Sequence, residues 1–384
     1  MPVRIVTSEV EFADLKTAWN ELHESNANHT PFQSWEWNFA WWKHFGQTGD
    51  LRLLVVESHE RLIGIAPLFL NRRYEGAPLR HIAFISRKRA DYLDFIVAAG
   101  AEGDFFKQVF SFMRGRRGEW RFLELRDMRE TSANLPYLLR EAAAAFPHIK
   151  QQFGETCGAL PLASTWEEYL ASLGANTRQN VGRFRRRLAK AFEVDLKIAT
   201  QPHEMQRCLA DFAAVFRDRW QPEQGATFFD QQRAAGFERE LCDLAARAGW
   251  YRLYILYVSG KPVAGYLGYV CNQKFYSGLL AHDPAWHKYS VGTVMIGMII
   301  EDCIRQQWSE FDMTRGDEPY KFQWNCERRN NHRITLSADA MSMYYASMVD
   351  SLRGRLVGMQ LLHRLRAAYR RRPPYPDAVI TSGA

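Results

Sequence analysis

Two stretches of the chain carry one pattern of apolar and polar positions. Leu51–Leu70 reads LRLLVVESHERLIGIAPLFL, and Tyr251–Val270 reads YRLYILYVSGKPVAGYLGYV, 200 residues further on with no gap between the copies. Each pattern predicts an apolar strand, a turn (Ser58 to Arg61, or Ser259 to Lys261) and a second apolar strand. Downstream of each copy a tryptophan opens another strand: WRFLELRD from Trp120 and WSEFDMTR from Trp308. A repeat of this length predicts a duplicated domain.

The periodicity around the first copy predicts a strand at Val3–Thr7, helices at Glu9–Glu24 and Ser34–His44, and a short strand at Asp94–Val97. A helix at Asp104–Met113, the strand Trp120–Leu125 and an alanine-rich helix Leu135–Phe146 complete that unit. A second unit begins near Cys157. It predicts helices at Thr165–Ser172, Asn176–Ala191, Met205–Trp220 and Asp230–Arg247, with a strand at Glu193–Ala199. After the hairpin come a strand Phe275–Ala281, a helix Gly292–Gln307 and a strand Glu310–Met313. The segment Leu336 to Arg371 reads mostly as a long amphipathic helix with Tyr345, Met348, Val349, Leu352, Leu356 and Met359 on one stripe, stopped by Pro373 and Pro374. The fold class is therefore mixed α/β, in two similar units. The expected division is 1–155, 156–337, and a terminal helix with a frayed tail over 338–384.

Composition narrows this little. Of 384 residues 47% are hydrophobic and 24% charged, ordinary values for a globular protein. The net charge of +7 is mild. It suits anionic substrates or an anionic lipid surface without demanding nucleic acid. The excess is local, at Arg178–Lys190, Arg353–Arg372 and Arg114–Arg117. The six cysteines have no metal-ligand spacing and read as reduced core residues. The first residues lack an apolar signal core, and the longest apolar run, near Val291–Ile300, is too short to span a bilayer. A cytoplasmic location is expected. Phosphate-loop, dinucleotide, zinc and serine-elbow fingerprints are missing. Trp35, Trp37, Trp41 and Trp42 predict an amphipathic helix that buries its aromatics.

The copies diverge after the hairpin. In the second, the strand ends at His282, Asp283 and Pro284, and a polar loop through Lys288, Tyr289, Ser290, Gly292 and Thr293 leads straight into a helix. Glycine at a helix entrance exposes backbone N–H groups that suit a pyrophosphate. The next strand delivers Asp312, then Arg315, Asp317, Glu318, Tyr320 and Lys321 in a turn-rich segment. The first copy has Gly100 and Gly103 before its helix, but also Glu102 and Asp104, which would repel a phosphate. The chemistry is expected in the second unit. The first reads as structural, or as half of an acceptor groove.

Several blocks in order resemble one family. They are PFQSWEWNFAWWKHFG from Pro31; Thr177, Arg178, Gln179 and Asn180 before the basic run; FRDRW from Phe216 with Phe228 and Phe229; DPAW from Asp283 through Gly292 and Thr293; and RGDEPYK from Arg315. Together, over Pro31 to Trp324, they resemble the tandem GNAT acetyltransferases associated with cellulose and exopolysaccharide synthesis (CelD-type), and more distantly the Fem peptidyltransferases. The loop departs from the family's Q/R-x-x-G-x-G/A pattern in having a single glycine.

The resemblance implies two tandem GNAT-like units, with acetyl-CoA or another acyl-CoA held by Lys288, Tyr289, Ser290, Gly292 and Thr293 and no metal. It implies transfer to an amine or hydroxyl of a sugar, free or lipid-linked, in envelope or exopolysaccharide synthesis. Asp317 or Glu318 is the expected base or acceptor clamp; both also suit the cap of a helix opened by Pro319. Tyr320 is a candidate to protonate the leaving thiolate, and His282 is a candidate base. Arg315, Lys321 and Arg178 are candidate substrate ligands, with a structural salt bridge as the alternative for Arg315. The Arg364–Arg372 end suits either anionic membrane or, through the apolar stripe, docking onto the second unit. The rival readings are a Fem-like transferase using aminoacyl-tRNA and a non-catalytic scaffold of a polysaccharide synthesis complex.

Overall fold

A computed structural model describes residues 2–352 apart from Ala27, Glu60, Gly225 and Ala226. The first unit runs β1 (Val3–Val6), α1 (Glu9–Asp14), α2 (Lys16–Ser25), α3 (Trp35–Phe45), β2 (Gly49–Leu51), β3 (Leu53–Ser58), β4 (Arg61–Ala66), β5 (Leu68–Asn71), β6 (His81–Phe84), β7 (Ile96–Val97), α4 (Glu102–Gly115), β8 (Phe122–Arg129) and α5 (Asn134–Ala145). A long strand, β9 (His148–Pro161), leads to the second unit. That unit runs α6 (Trp166–Ser172), α7 (Ala175–Ala191), β10 (Val194–Ala199), α8 (Pro202–Gln224), α9 (Gln232–Arg247), β11 (Tyr251–Val258), β12 (Lys261–Cys271), β13 (Lys274–His282), α10 (Val291–Arg305), β14 (Glu310–Arg315), α11 (Pro319–Phe322) and β15 (Glu327–Ser337). Residues 340–352 are helical. The rest of the expected terminal helix, including Leu356, Met359 and Arg364–Arg372, lies outside the described residues, as does the expected tail. Among the described residues no helix is long and apolar enough to cross a membrane.

The two copies of the hairpin fold differently. In the second copy, β11 and β12 pair as an unbroken antiparallel ladder. In the first, the ladder breaks near Arg52 and Pro67. Proline has no N–H for the ladder, and the chain passes there from one sheet to another. β3 and β4 belong to a four-stranded sheet in the order β1-β3-β4-β7, and β2 and β5 to an eleven-stranded sheet in the order β10-β11-β12-β13-β14-β9-β15-β8-β6-β5-β2. The expected helix Glu9–Glu24 is two helices. Ser8 and Glu11 close a capping box on α1, which ends at Leu15.

Two polar strands join the units. β15 pairs along its whole length with β9, from Glu327↔Ala159 to Ser337↔His148. Its second half also pairs with β8, while the end of β9 pairs with β14. The expected boundary between residues 155 and 156 thus falls inside β9, and each unit's sheet continues into the other. Neither strand is expected from apolar pattern, because β15 reads ERRNNHRITLS. Its charges are used in the fold: Arg329 binds Glu310 at 2.6 Å and Arg333 binds Glu124 at 2.7 Å.

Aromatic rings fill the junction. Trp35, Trp37 and Trp41 of α3 are buried, as expected of an aromatic helix face. Trp37 meets Phe237 and Tyr269 of the second unit, and Phe32 meets Tyr92, Tyr269 and Tyr276. Edge-to-face pairs of this kind contribute about 0.5–1.5 kcal/mol each beyond burial. The junction is a packed core rather than a hinge.

Candidate active site

β13 and β14 are parallel neighbours for only three pairs: Lys274↔Glu310, Phe275↔Phe311 and Tyr276↔Asp312. Beyond Tyr276, β13 continues against β12 to His282, while β14 turns towards β9, reaching Arg315↔Cys157. Thr314 takes a left-handed φ of 55° at this turn. The strands therefore part, leaving an opening whose wall is the edge of β13 from Ser277 to His282. Backbone groups on such an edge are free to bind an extended ligand or to polarise a carbonyl.

A short parallel pairing of the same length occurs in the first unit. β6 and β8 are parallel for three pairs, ending at Ala83↔Glu124. Counted from Trp120 and Trp308, Glu124 and Asp312 occupy the same position. In the first unit Arg126, Arg333 and Arg87 stand 2.9, 2.7 and 3.7 Å from Glu124. Burial alone would raise its carboxyl, but the three guanidinium groups hold it below its ordinary value. The first opening is plugged by this ionic cluster.

In the second unit Asp312 has no arginine in ion-pair range among the described residues. Burial raises its carboxyl to about 6, against hydrogen bonds from the Thr314 N–H at 2.7 Å and the Tyr92 hydroxyl at 2.8 and 2.9 Å. Asp312 is expected at the strand end but without an assigned role, and Tyr92 is not among the expected site residues; the shared W-x-x-x-E/D spacing of the two strand motifs points to Asp312.

The helix after the opening begins in an unusual way. Asp283 accepts from the Ala285 N–H at 2.9 Å, and a 3-10 turn, Pro284–Tyr289, follows. Ser290 is left-handed, φ 52° and ψ 45°, and its side chain caps nothing. The first N–H groups of α10 therefore lack a side-chain acceptor, and its first turn carries no carboxylate. Gly292 sits against His282: a Cβ there would lie 3.2 Å from Nδ1. Burial and the Arg219 charge lower the His282 pKa, so the ring is neutral near pH 7. Lys288 and Arg187 both lie over the Tyr289 ring, each 5.1 Å from its centre. Bare donors, a glycine and flanking cations fit the pyrophosphate of an acyl-CoA.

The expected site residues divide into two groups. In the first group, Tyr320 is 41% exposed, and burial of its hydroxyl with the nearby Glu318 charge pushes its pKa up to about 12. Tyr266, whose hydroxyl donates to Ser277 at 2.7 Å, lies within electrostatic range of Tyr320. Asp317 and Glu318 are exposed. Glu318 holds the N-cap position of α11 without a side-chain cap bond and pairs instead with Lys321 at 3.1 Å.

The second group is engaged in structure. Lys321 is buried and its ammonium is surrounded by the carbonyls of Thr314, Arg315 and Gly316, so it closes the end of β14 rather than facing a substrate. Arg315 reaches into the first unit, 2.9 Å from Asp91 and 3.5 Å from Asp127. It is the structural salt bridge, the alternative to a substrate ligand. Arg178 is exposed on α7 and donates to the Ala171 carbonyl at 3.3 Å. The basic helix meets the 3-10 turn before α10 through Arg187 and through Phe192, which packs on Trp286 and Tyr289.

Residues 175–322 match the acetyltransferase (GNAT) domain family. No curated protein matches the chain. Among solved structures, the chain is similar to FemX at 12% identity and a TM-score of 0.60, covering 90% of this chain and 100% of that one. It is also similar to a C-terminal domain assigned to a lysylphosphatidylglycerol synthetase of Agrobacterium fabrum, at 11% identity, a TM-score of 0.55 and coverage of 90% and 97%. A conserved protein of unknown function from Bacteroides thetaiotaomicron gives 14%, 0.54, and coverage of 87% and 100%. At these identities the likeness is one of fold, and it extends over both units. Residues 175–322 are a GNAT-type acyltransferase domain, set in a chain of mixed α/β, tandem GNAT-like architecture.

Proposed function

We propose that the chain moves an acyl group, acetyl in the first instance, from acyl-CoA to an amine or hydroxyl of a sugar or cell-envelope precursor. The observation that carries this reading is the parted β13–β14 pair running into the uncapped, glycine-marked entrance of α10. The pyrophosphate would rest on the first N–H groups of α10, beside Lys288, Tyr289, Ser290, Gly292 and Thr293. The thioester would lie along the open edge of β13. In the transfer an N–C or O–C bond forms to the carbonyl carbon, the acceptor's N–H or O–H proton passes to an acceptor-side carboxylate, the C–S bond breaks, and the thiolate takes a proton. Tyr320, protonated at any physiological pH, is the proton donor in this scheme. Asp317 and Glu318 at the mouth are the candidate acceptor-side carboxylates. Neutral His282 lines the cofactor entrance rather than the acceptor side. The first unit, its own opening plugged at Glu124, serves as wall and support. Acyl-CoA supply fits a cytoplasmic location.

The test is a thermal-shift titration with CoA and acetyl-CoA, followed by a free-thiol assay with amino sugars. A ligand that binds only the native state must raise its stability. No shift at millimolar CoA would sink the proposal. A second reading, aminoacyl-tRNA as donor, draws on the exposed arginine face of α7, where Arg178, Arg183, Arg186 and Arg187 stand in solvent. It requires RNA binding that weakens steeply with salt.

A further inference from the structure

The first unit contains a cleft of about 970 Å³ that the acyl-transfer reading does not use. Its floor is aromatic: Trp41 packs against Phe69 and Phe45, with ring centres 5.4 and 5.8 Å apart. Its rim is cationic, with Arg72, Arg73, Arg87, Lys88 and Arg89 set against the single carboxylate Glu75. That carboxylate already serves Arg87, Lys88 and Arg126, at 3.5, 3.3 and 3.4 Å. Arg72 pairs with Asp50 at 2.6 Å.

Arg89 and Arg73 differ from these. Among the described residues, neither guanidinium has a carboxylate within ion-pair distance. Arg89 is half-buried and held between two rings, 5.3 Å from the centre of Phe45 and 4.5 Å from that of Phe228. Burial depresses its pKa, and the carboxylate that acts on it, Glu238, is itself buried and hydrogen-bonded to Tyr251. An arginine taken partly out of water without a counter-ion is costly.

The backbone is bent to put it there. Ser86 and Lys88, on either side of Arg87, have φ of 69° and 68°. Non-glycine residues in this region are strained, and they persist where surroundings over-determine them. Here the Ser86 hydroxyl bonds Asn38 at 3.1 Å, and Arg87 is clamped to His81 and Glu75. The loop turns Arg87 inward and leaves Lys88 and Arg89 on the cleft.

We infer that this cleft binds a phosphoryl or pyrophosphoryl group carried on an apolar or ring moiety, with the anion on Arg73, Lys88 and Arg89 and the apolar part on Trp41 and Phe69. Arginine forks match phosphate oxygens, and the aromatic floor distinguishes such a compound from a bare anion. The site lies in the first unit and does not depend on acyl transfer.

The experiment is calorimetric titration of the full chain, in saturating CoA, with geranyl diphosphate, uridine diphosphate and inorganic pyrophosphate. At least one organic diphosphate is expected to bind roughly tenfold more tightly than pyrophosphate. Tighter geranyl diphosphate identifies a chain-bearing source, and tighter uridine diphosphate a ring-bearing one. Arg89→Met is expected to weaken that binding roughly tenfold and leave CoA affinity unchanged. Arg73→Gln, on the exposed rim, carries the test if the Arg89 variant does not fold. Binding no tighter than pyrophosphate, or unchanged in both variants, or displaced by CoA, overturns the inference. A missing CoA shift in the thermal assay would instead bear on the acyl-transfer proposal alone.

Discussion

Arg315 lies 3.5 Å from Asp127, and the two residues hold the same place in the two copies of the strand motif. The repeat thus meets itself at the junction, with a cation in one copy and an anion in the other. Asp91 joins them at 2.9 Å from the guanidinium. Burial raises both carboxyls, Asp127 to about 6, and Arg315 opposes the rise.

Replacing Arg315 by methionine should therefore destabilise the fold rather than weaken substrate binding. Two buried carboxylates would lose the guanidinium that pairs with them, at a cost of about 3–5 kcal/mol. The lost attraction exists only when the acids are ionised, so the deficit relative to wild type should grow from pH 5 to pH 8. Denaturant melts at both pH values test this. An equal deficit at the two, with a raised KM, would return Arg315 to the substrate.

Gly292→Val should block the cofactor without unfolding the unit. Its Cβ would meet His282 Nδ1 at 3.2 Å, at the entrance where the N–H groups of α10 are bare. CoA affinity should fall by roughly tenfold or more, since the side chain fills the space beside the donors and blocks approach to them. His282→Ala in the same chain should restore part of it by vacating that space. If the single variant binds CoA normally in calorimetry, the pyrophosphate lies elsewhere.

Much of this was legible in the sequence where one physical rule dominates. The hairpin β11–β12, the aromatic helix α3 and the amphipathic helices followed from period and burial. So did the glycine-marked entrance at Gly292. β9 and β15 were not legible, because their polar residues are satisfied by partners distant in sequence. Arg333 finds Glu124 and Arg329 finds Glu310, and a single-chain pattern contains no sign of either pairing. The same limit explains Arg315 and Lys321. Both sit in a motif that reads as a site, yet one is held by the first unit's acids and the other by backbone carbonyls. Tyr92 was invisible for the converse reason. It lies 220 positions from the carboxylate it binds.

Glu238 supplies a pH dependence of its own. Burial raises its carboxyl from 4.5 to about 7, against the Tyr251 hydroxyl at 2.7 Å and the charge of Arg89. A carboxyl whose folded pKa is raised binds more protons folded than unfolded in that window, so stability falls as pH rises from 4.5 to 7. The loss amounts to about 3 kcal/mol at 1.36 kcal/mol per unit. Glu238→Gln cannot titrate, and the stability gap between it and wild type should shift by that amount across the window. A constant gap from pH 4.5 to 7.5 in urea titrations would rule out Glu238 as the source.

Tyr320 is the residue on which the proposed chemistry is most exposed to test. Its hydroxyl lies within electrostatic range of Tyr266 and Glu318, and burial with the Glu318 charge pushes its pKa up to about 12. A group that high is protonated across the working range, so it can give a proton to a departing thiolate but cannot serve as a base. Tyr320→Phe removes the proton and leaves the ring. Loss of a general acid lowers turnover by about 10²–10⁴-fold. The effect should fall on kcat with KM for acyl-CoA little changed, because the hydroxyl acts in the transition state. The decisive measurement varies the leaving group. Acyl thioesters of more acidic thiols, which depart without protonation, should lose far less rate in the variant than acetyl-CoA does. If the loss is the same for every thioester, Tyr320 positions the substrate and the proton comes from elsewhere.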